Sequence, residues 1–125
     1  MSDAKTFTDA DLANFYGSEN SYFNPLFGRS TTYTDGVKFI SDHGCGWMVT
    51  DILAIVKMHA KVRGQEFVSI KFEKKRAHVD DSATITYDDG NGNVLYRQKY
   101  EVADCPVSEI SFYFENEMLM LVSER

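Results

Sequence analysis

The hydrophobic residues of this chain change their spacing once, near Glu66, and that change restricts the folds open to it. Up to that point the periodic stretches repeat apolar side chains every three or four residues, the spacing of one helix face. Beyond it they alternate, the spacing of a strand with one buried side. Val68, Ile70 and Phe72 alternate with Ser69, Lys71 and Glu73, and Ala83, Ile85 and Tyr87 with Thr84 and Thr86. Val94, Tyr96, Tyr100 and Val102 alternate with Leu95, Arg97, Lys99 and Glu101, and Ile110, Phe112 and Phe114 with Ser111, Tyr113 and Glu115. Met118 to Val122 is a last short apolar run. The Asp-Gly and Asn-Gly pairs of Asp88-Asp89-Gly90-Asn91-Gly92-Asn93 suit the positive φ of a hairpin turn. Further turns are expected over Glu73 to Asp81 and at Glu115-Asn116-Glu117.

In the helical half, Thr8 has the chemistry of an N-cap, with Asp9 and Asp11 in the first turn where the helix dipole favours negative charge. Leu12, Phe15 and Tyr16 give that helix its apolar stripe, and Gly17 can end it. Ser18 to Thr32 has no period and reads as a loop pinned by Tyr22, Phe23, Leu26 and Phe27. Thr34 is the next N-cap, Val37, Phe39 and Ile40 face inward, and Gly44-Cys45-Gly46 is a sharp break. Trp47 to Ala60 is the longest expected helix, with Met48, Ile52, Ile55, Val56 and His59 on one face, widened by Val49 and Leu53, and with Gly64 ending the segment.

Helices followed by consecutive strands define an α+β domain: two to three N-terminal helices packed on a four- to five-stranded antiparallel meander, one domain over 1–125. The sheet's wet face is expected to carry Lys71, Thr84, Thr86, Arg97 and Lys99. Nine Phe and seven Tyr among 125 residues supply enough apolar area for a core. No apolar run approaches the ~20 residues that cross a bilayer. The N-terminus has no apolar stretch of the signal-peptide kind, and Cys45 and Cys105 are too few for a disulfide scaffold. The expected setting is cytoplasmic, away from membranes, with reduced thiols favoured and one bridge left open.

The net charge is −6, from 13 basic and 19 acidic residues. Phosphate contacts dominate nucleic-acid affinity, so direct nucleic-acid binding is disfavoured. The charges are also unevenly placed. Glu101, Asp104, Glu109, Glu115, Glu117 and Glu124 follow one another with no Lys or Arg between Tyr100 and Glu124, whereas Lys71, Lys74, Lys75 and Arg76 crowd one stretch. Two readings stand: an electrostatically two-sided molecule, or strands that expose a charged face to water.

Chemistry-bearing motifs are sparse. Asp88 to Asn93 superficially resembles a calcium loop but lacks the twelve-residue spacing and distal acid. Asp42, His43 and Cys45 sit beside two glycines, where a thiol and an imidazole could make a nucleophile or begin a metal site; His59, His78 and Cys105 are scattered singly. A helix end is the simpler account of Asp42-His43-Gly44. Asp51 falls on or beside an apolar helix face with Trp47 and Ile55, so it must be a hydrogen-bonded structural anchor or a functional acid. A Tyr hydroxyl, or backbone donors of the Ser18–Thr34 loop, could satisfy it. No cofactor or metal motif is present, and neither is expected.

Several segments carry a resemblance in combination. They are Phe15-Tyr16-Gly17-Ser18-Glu19-Asn20, Tyr33-Thr34-Asp35-Gly36-Val37, Gly46-Trp47 with Asp51-Ile52, Asp89-Gly90-Asn91-Gly92-Asn93-Val94, and Glu109-Ile110 with Phe112-Tyr113-Phe114. In this order, over roughly 7 to 124, the chain resembles a family of short uncharacterised proteins of bacteria, cyanobacteria and mobile elements that carry a domain-of-unknown-function label. The resemblance implies no reaction and transfers no site residue, but it implies a phage or plasmid context. The leading expectation is a non-enzymatic protein-interaction module. One form of it is a phage-borne acidic inhibitor of a host defence complex, anti-CRISPR-like. It would present Glu101, Asp104, Glu109, Glu115 and Glu117 to a basic, nucleic-acid-handling partner as phosphate mimics. The rivals are a small enzyme using Asp51 with His43 or Cys45, and an assembly module that forms homodimers through a strand edge or aromatic patch.

Overall fold

In a computed structural model, which describes residues 7–75 and 82–125, the first half of the chain contributes three helices and two short strands. α1 (Asp9–Ala13) is followed by β1 (Ser21–Phe23), β2 (Thr32–Thr34), α2 (Asp35–Ile40) and α3 (Gly46–Met58). The second half is all strand: β3 (Phe67–Lys74), β4 (Ala83–Asp88), β5 (Val94–Tyr100), β6 (Glu109–Glu115) and β7 (Met118–Leu121). The α+β class holds. Arg76, His78 and part of the turn expected over Glu73 to Asp81 lie outside the described residues, as does the start of the N-terminus.

Thr8 caps α1 as its chemistry predicts. Its side chain accepts from Asp11 N–H while the Asp11 carboxylate accepts from Thr8 N–H. The helix ends at Ala13 rather than Gly17. Between α2 and α3 the chain makes a wide, irregular turn over Ser41–Cys45, where Gly44 takes a φ of 102° that a side chain would resist. α3 is the one long helix and stops at Met58, short of Gly64. Its buried face is Met48, Val49, Ile52, Leu53 and Val56; Ile55 is only half-buried, and His59 stacks on Tyr96 with ring centroids 4.0 Å apart.

The sheet departs from the expected meander. Among the described residues it has seven strands in the order β1-β2-β7-β6-β3-β4-β5, antiparallel except for the parallel β2–β7 pair. β6 pairs with β3, not with β5. The burial pattern gives the reason. Ile110, Phe112 and Phe114 of β6 are all buried and need strands on both sides, whereas the inward residues of β5, Tyr96, Gln98 and Tyr100, are only half-buried. β5 can therefore be an edge, and the connection 101–108 carries the chain back to the centre. β1 and β2 fall where a loop was expected. Their three-residue length is too short for alternation to register, and β2 is recruited by β7 instead: Thr32 N–H donates to Glu117 O at 2.8 Å. The β6–β7 turn is as expected, with Asn116 (φ 55°) and Glu117 (φ 61°) both left-handed, the geometry of a two-residue hairpin.

The helical layer covers one face of the sheet. Val68, Ile70, Phe72, Ile85, Tyr87, Phe112 and Leu119 meet Val37, Ile40, Met48, Ile52 and Leu53 in a single core. At its margin lies an acid that the sequence did not single out as structural. Glu124, only 9% exposed, accepts from Thr34 Oγ1–H at 2.5 Å, Gly36 N–H at 2.9 Å and Leu121 N–H at 3.0 Å. It thus caps α2 from the far end of the chain. A Cβ on Gly36 would meet Glu124 Oε1 and Leu121 Cδ1 at 2.6 Å.

Glu124→Ala leaves three donors without acceptors, each worth about 1–3 kcal/mol when buried. The expected loss in urea unfolding is at least ~2 kcal/mol after partial hydration. Gly36→Ala should also destabilise, by about 1–3 kcal/mol of overpacking. Wild-type melting of both variants would disprove the clamp.

Candidate interaction surface

Among the described residues no element covers the sheet's second face. Lys71 and Glu73 of β3, Arg97 and Lys99 of β5, and Glu109 and Ser111 of β6 are exposed there, with Thr84 and Thr86 of β4 half-buried between them. The five residues expected on the wet face are all on it. At one end of this face Phe67 and Tyr113 lie against each other, ring centroids 5.0 Å apart, and the Arg125 guanidinium covers both.

β5 bounds this face. One side of it is hydrogen-bonded to β4 from Tyr100 to Val94, and among the described residues no strand pairs with its other side. A free edge presents a row of backbone donors and acceptors to any extended chain. Exposed valines, Val94 (48%) and Val102 (74%), bracket it. The turn leading into β5 is internally hydrogen-bonded. Asp89 accepts from Asn91 N–H, Asn93 N–H and Asn93 Nδ2–H, and these bonds, led by the Asn93 side chain, hold its carboxyl below the usual range. Those bonds are turn chemistry, the reading preferred over a calcium loop.

The five acids expected to act together are divided. Glu101 and Asp104 lie in the connection after β5, and Glu109 opens β6 at the same end of the sheet, directly opposite Glu73. A shallow groove of about 500 Å³ runs there, lined by Glu73 and Glu109 and also by Lys74 and Lys75. Glu115 and Glu117 lie at the opposite end, and each already has a cation. Arg125 Nε donates to Glu115 at 3.1 Å, and Lys57 pairs with Glu117, whose carboxyl is lowered chiefly by that bond.

The remaining candidates each have a separate partner. Tyr100 O–H donates to Asp51 Oδ2 at 2.8 Å, so a Tyr hydroxyl does satisfy the acid. The Tyr comes from β5, with Trp47 packed edge-on against its ring. Burial first, then the Asp51 carboxylate, pushes the Tyr100 phenol well above its ordinary value. Burial does the same to Tyr87, whose O–H donates to Gln98 Oε1 at 2.7 Å. His43 stacks on Phe39 at 4.1 Å and bonds through Nδ1 to Phe39 O at 2.7 Å. Cys45 faces Cys105. Among the described residues no three His, Cys, Asp or Glu side chains are grouped to hold a metal ion. Asp35 is a junction that sequence reasoning missed. It accepts from Tyr22 O–H at 2.9 Å, Asn20 Nδ2–H and Glu19 N–H, tying β1 to the start of α2. Desolvation opposes those bonds, which prevail and hold its carboxyl low.

The architecture is thus that of an α+β protein whose mixed sheet is covered by helices on one face and, among the described residues, bare on the other. The chain belongs to a family of unknown function, DUF6876, whose model matches residues 6–125. No curated protein and no solved structure matches it. Among the described residues no helix is long and apolar enough to cross a membrane.

Asp51→Ala should lower stability by about 1–3 kcal/mol by orphaning the Tyr100 hydroxyl; an unchanged melting temperature would remove the anchor role. The raised Tyr87 and Tyr100 phenols bind their protons more tightly folded than unfolded. Their contribution to stability is therefore full below about pH 10 and lost as pH rises through the folded values. In a tyrosinate absorbance titration these two should ionise after the exposed tyrosines, together with unfolding. Ionisation of all seven tyrosines in one step with the fold intact would contradict this.

Proposed function

We propose that the protein is a non-enzymatic interaction module that takes up an extended, acidic segment of another protein along β5 and the adjoining open face. The observation behind this reading is the seven-residue edge of β5, with which no second strand pairs among the described residues. Main-chain bonds to such an edge supply affinity, and the side chains flanking it supply selectivity. Here those side chains are Arg97 and Lys99; Lys71, two strands inward on the same face, already lies 3.8 Å from Glu73.

Cations on an edge strand also protect it from its own kind. Antiparallel pairing with a second copy centred on Arg97 or Gln98 sets Arg97 opposite itself or opposite Lys99, a like-charge contact that weakens the pair. The same cations attract Asp and Glu on a foreign strand. This argues for an acidic partner over the homodimer reading.

A second reading keeps the acidic inhibitor, anti-CRISPR-like in mode. Its support is the facing pair Glu73 and Glu109 at the end of the sheet from which the connection carrying Glu101 and Asp104 runs, although Glu73 already lies 3.8 Å from Lys71. Glu115 and Glu117 contribute less to it, being neutralised by Arg125 and Lys57. This surface would bind a basic partner.

A peptide-display selection separates the two. Acidic alternating sequences should be enriched on the wild-type protein, and Arg97→Glu with Lys99→Glu should weaken their binding by about tenfold or more at low salt. Enrichment of basic peptides, abolished by Glu101→Lys with Glu109→Lys, would transfer the function to the acidic end. No preference for either charge would sink both.

A further inference from the structure

Cys45 and Cys105, distant in sequence, have their sulfurs 3.7 Å apart in the folded protein. Cys45 lies in the irregular turn just after Gly44 and is fully buried. Cys105 lies in the connection 101–108, where Ala103, Cys105 and Val107 are buried and Asp104 and Pro106 exposed. The connection is held to its surroundings from two sides: Trp47 Nε1–H donates to Asp104 O at 3.2 Å and Lys74 Nζ to Cys105 O at 3.3 Å. The two thiols are not equivalent. Cys105 Sγ accepts from the Cys45 S–H and from Val107 N–H, with Lys74 nearby, and these hold its thiol below the ordinary value. Cys45, the donor, is pushed up by that bond and by burial. Cys105 is also the more accessible, at 6% against 0%.

We propose that Cys45 and Cys105 form a reversible redox pair, in which Cys105 is the attacking thiolate and Cys45 the resolving thiol, with a small hydroperoxide as oxidant. Cys105 sulfur attacks one peroxide oxygen, the O–O bond breaks, and the other oxygen leaves as alkoxide or hydroxide, giving a Cys105 sulfenic acid. Cys45 sulfur then attacks the Cys105 sulfur, the S–O bond breaks, and the Cys45 proton leaves with the hydroxyl as water. The sulfurs must close from 3.7 Å to about 2.0 Å. A thiol reductant restores the pair by exchange, becoming a disulfide itself. The bridge would tie the α2–α3 turn to the segment that runs directly off the edge strand β5.

The test treats the folded full chain with hydrogen peroxide, then alkylates under denaturing conditions and measures intact mass. The expected product has lost the mass of two hydrogen atoms, takes no alkyl group, and reverts with dithiothreitol. With dimedone present, Cys45→Ser should be labelled at Cys105, and Cys105→Ser should take no label at Cys45. A wild-type protein that stays fully alkylatable after peroxide overturns the pair, as does one that gives only intermolecular dimers. Dimedone on Cys45 reverses the roles and overturns the assignment. The wild-type mass alone decides whether the pair exists if either variant fails to fold.

Discussion

The carboxylate of Glu124 holds the junction on which the rest of this fold depends. Its bond to Gly36 spans 88 residues and its bond to Thr34 spans 90. A buried carboxylate without partners would be expensive, so the site requires the Thr34 hydroxyl and the Gly36 and Leu121 amides together. That requirement fixes α2 against β7. Once α2 is fixed, β2 is placed beside β7 in parallel, and β1 follows through its antiparallel pairing and through the Asp35 bonds. The close approach also explains why a glycine stands at position 36.

With the helices committed to one side, no helix among the described residues covers the other side of the sheet. Its polar alternation suits that exposure, and its charges are sorted by position more than by sequence segment. Glu73 and Glu109 face each other where β3 ends and β6 begins, with Lys71 3.8 Å from Glu73; Arg97 and Lys99 lie on β5; and Glu115 pairs with Arg125 at the opposite end. A chain with a net charge of −6 therefore offers a cationic edge. Net charge predicts solubility and long-range steering; it does not predict the sign of a particular strand edge. The connection 101–108 joins that edge to the cysteine pair, so the two sites proposed here share one stretch of backbone.

Much of this architecture was readable from local pattern. The alternation from Val68 to Phe114 depends only on which side of a strand meets water, so the inner and outer faces of β3, β4 and β6 followed directly. Thr8, the Asp-Gly-Asn-Gly turn and the wide apolar face of Trp47 to Ala60 are likewise local, because capping, turn chemistry and helix periodicity act within a few residues. Asp51 could be marked as an acid needing a partner, and a Tyr hydroxyl could be suggested, since the demand is intrinsic to a carboxylate on an apolar face.

Strand order, the identity of the partners and the meeting of distant groups belong to tertiary structure. The pairing of β6 with β3 reflects competition for the fully buried centre, which no single strand's pattern reveals. β1 and β2 are too short to show a period; β2 exists as a strand because β7 offers it an edge, and β1 because β2 does. Tyr100 as the partner of Asp51, Cys105 as the neighbour of Cys45, and the separation of Glu115 and Glu117 from Glu101, Asp104 and Glu109 all follow from that order. The sequence by itself determined which residues seek burial and which seek water, since that is a property of each side chain and its spacing. Only the tertiary structure decided which of them meet, because long-range contacts are settled by the whole core closing at once.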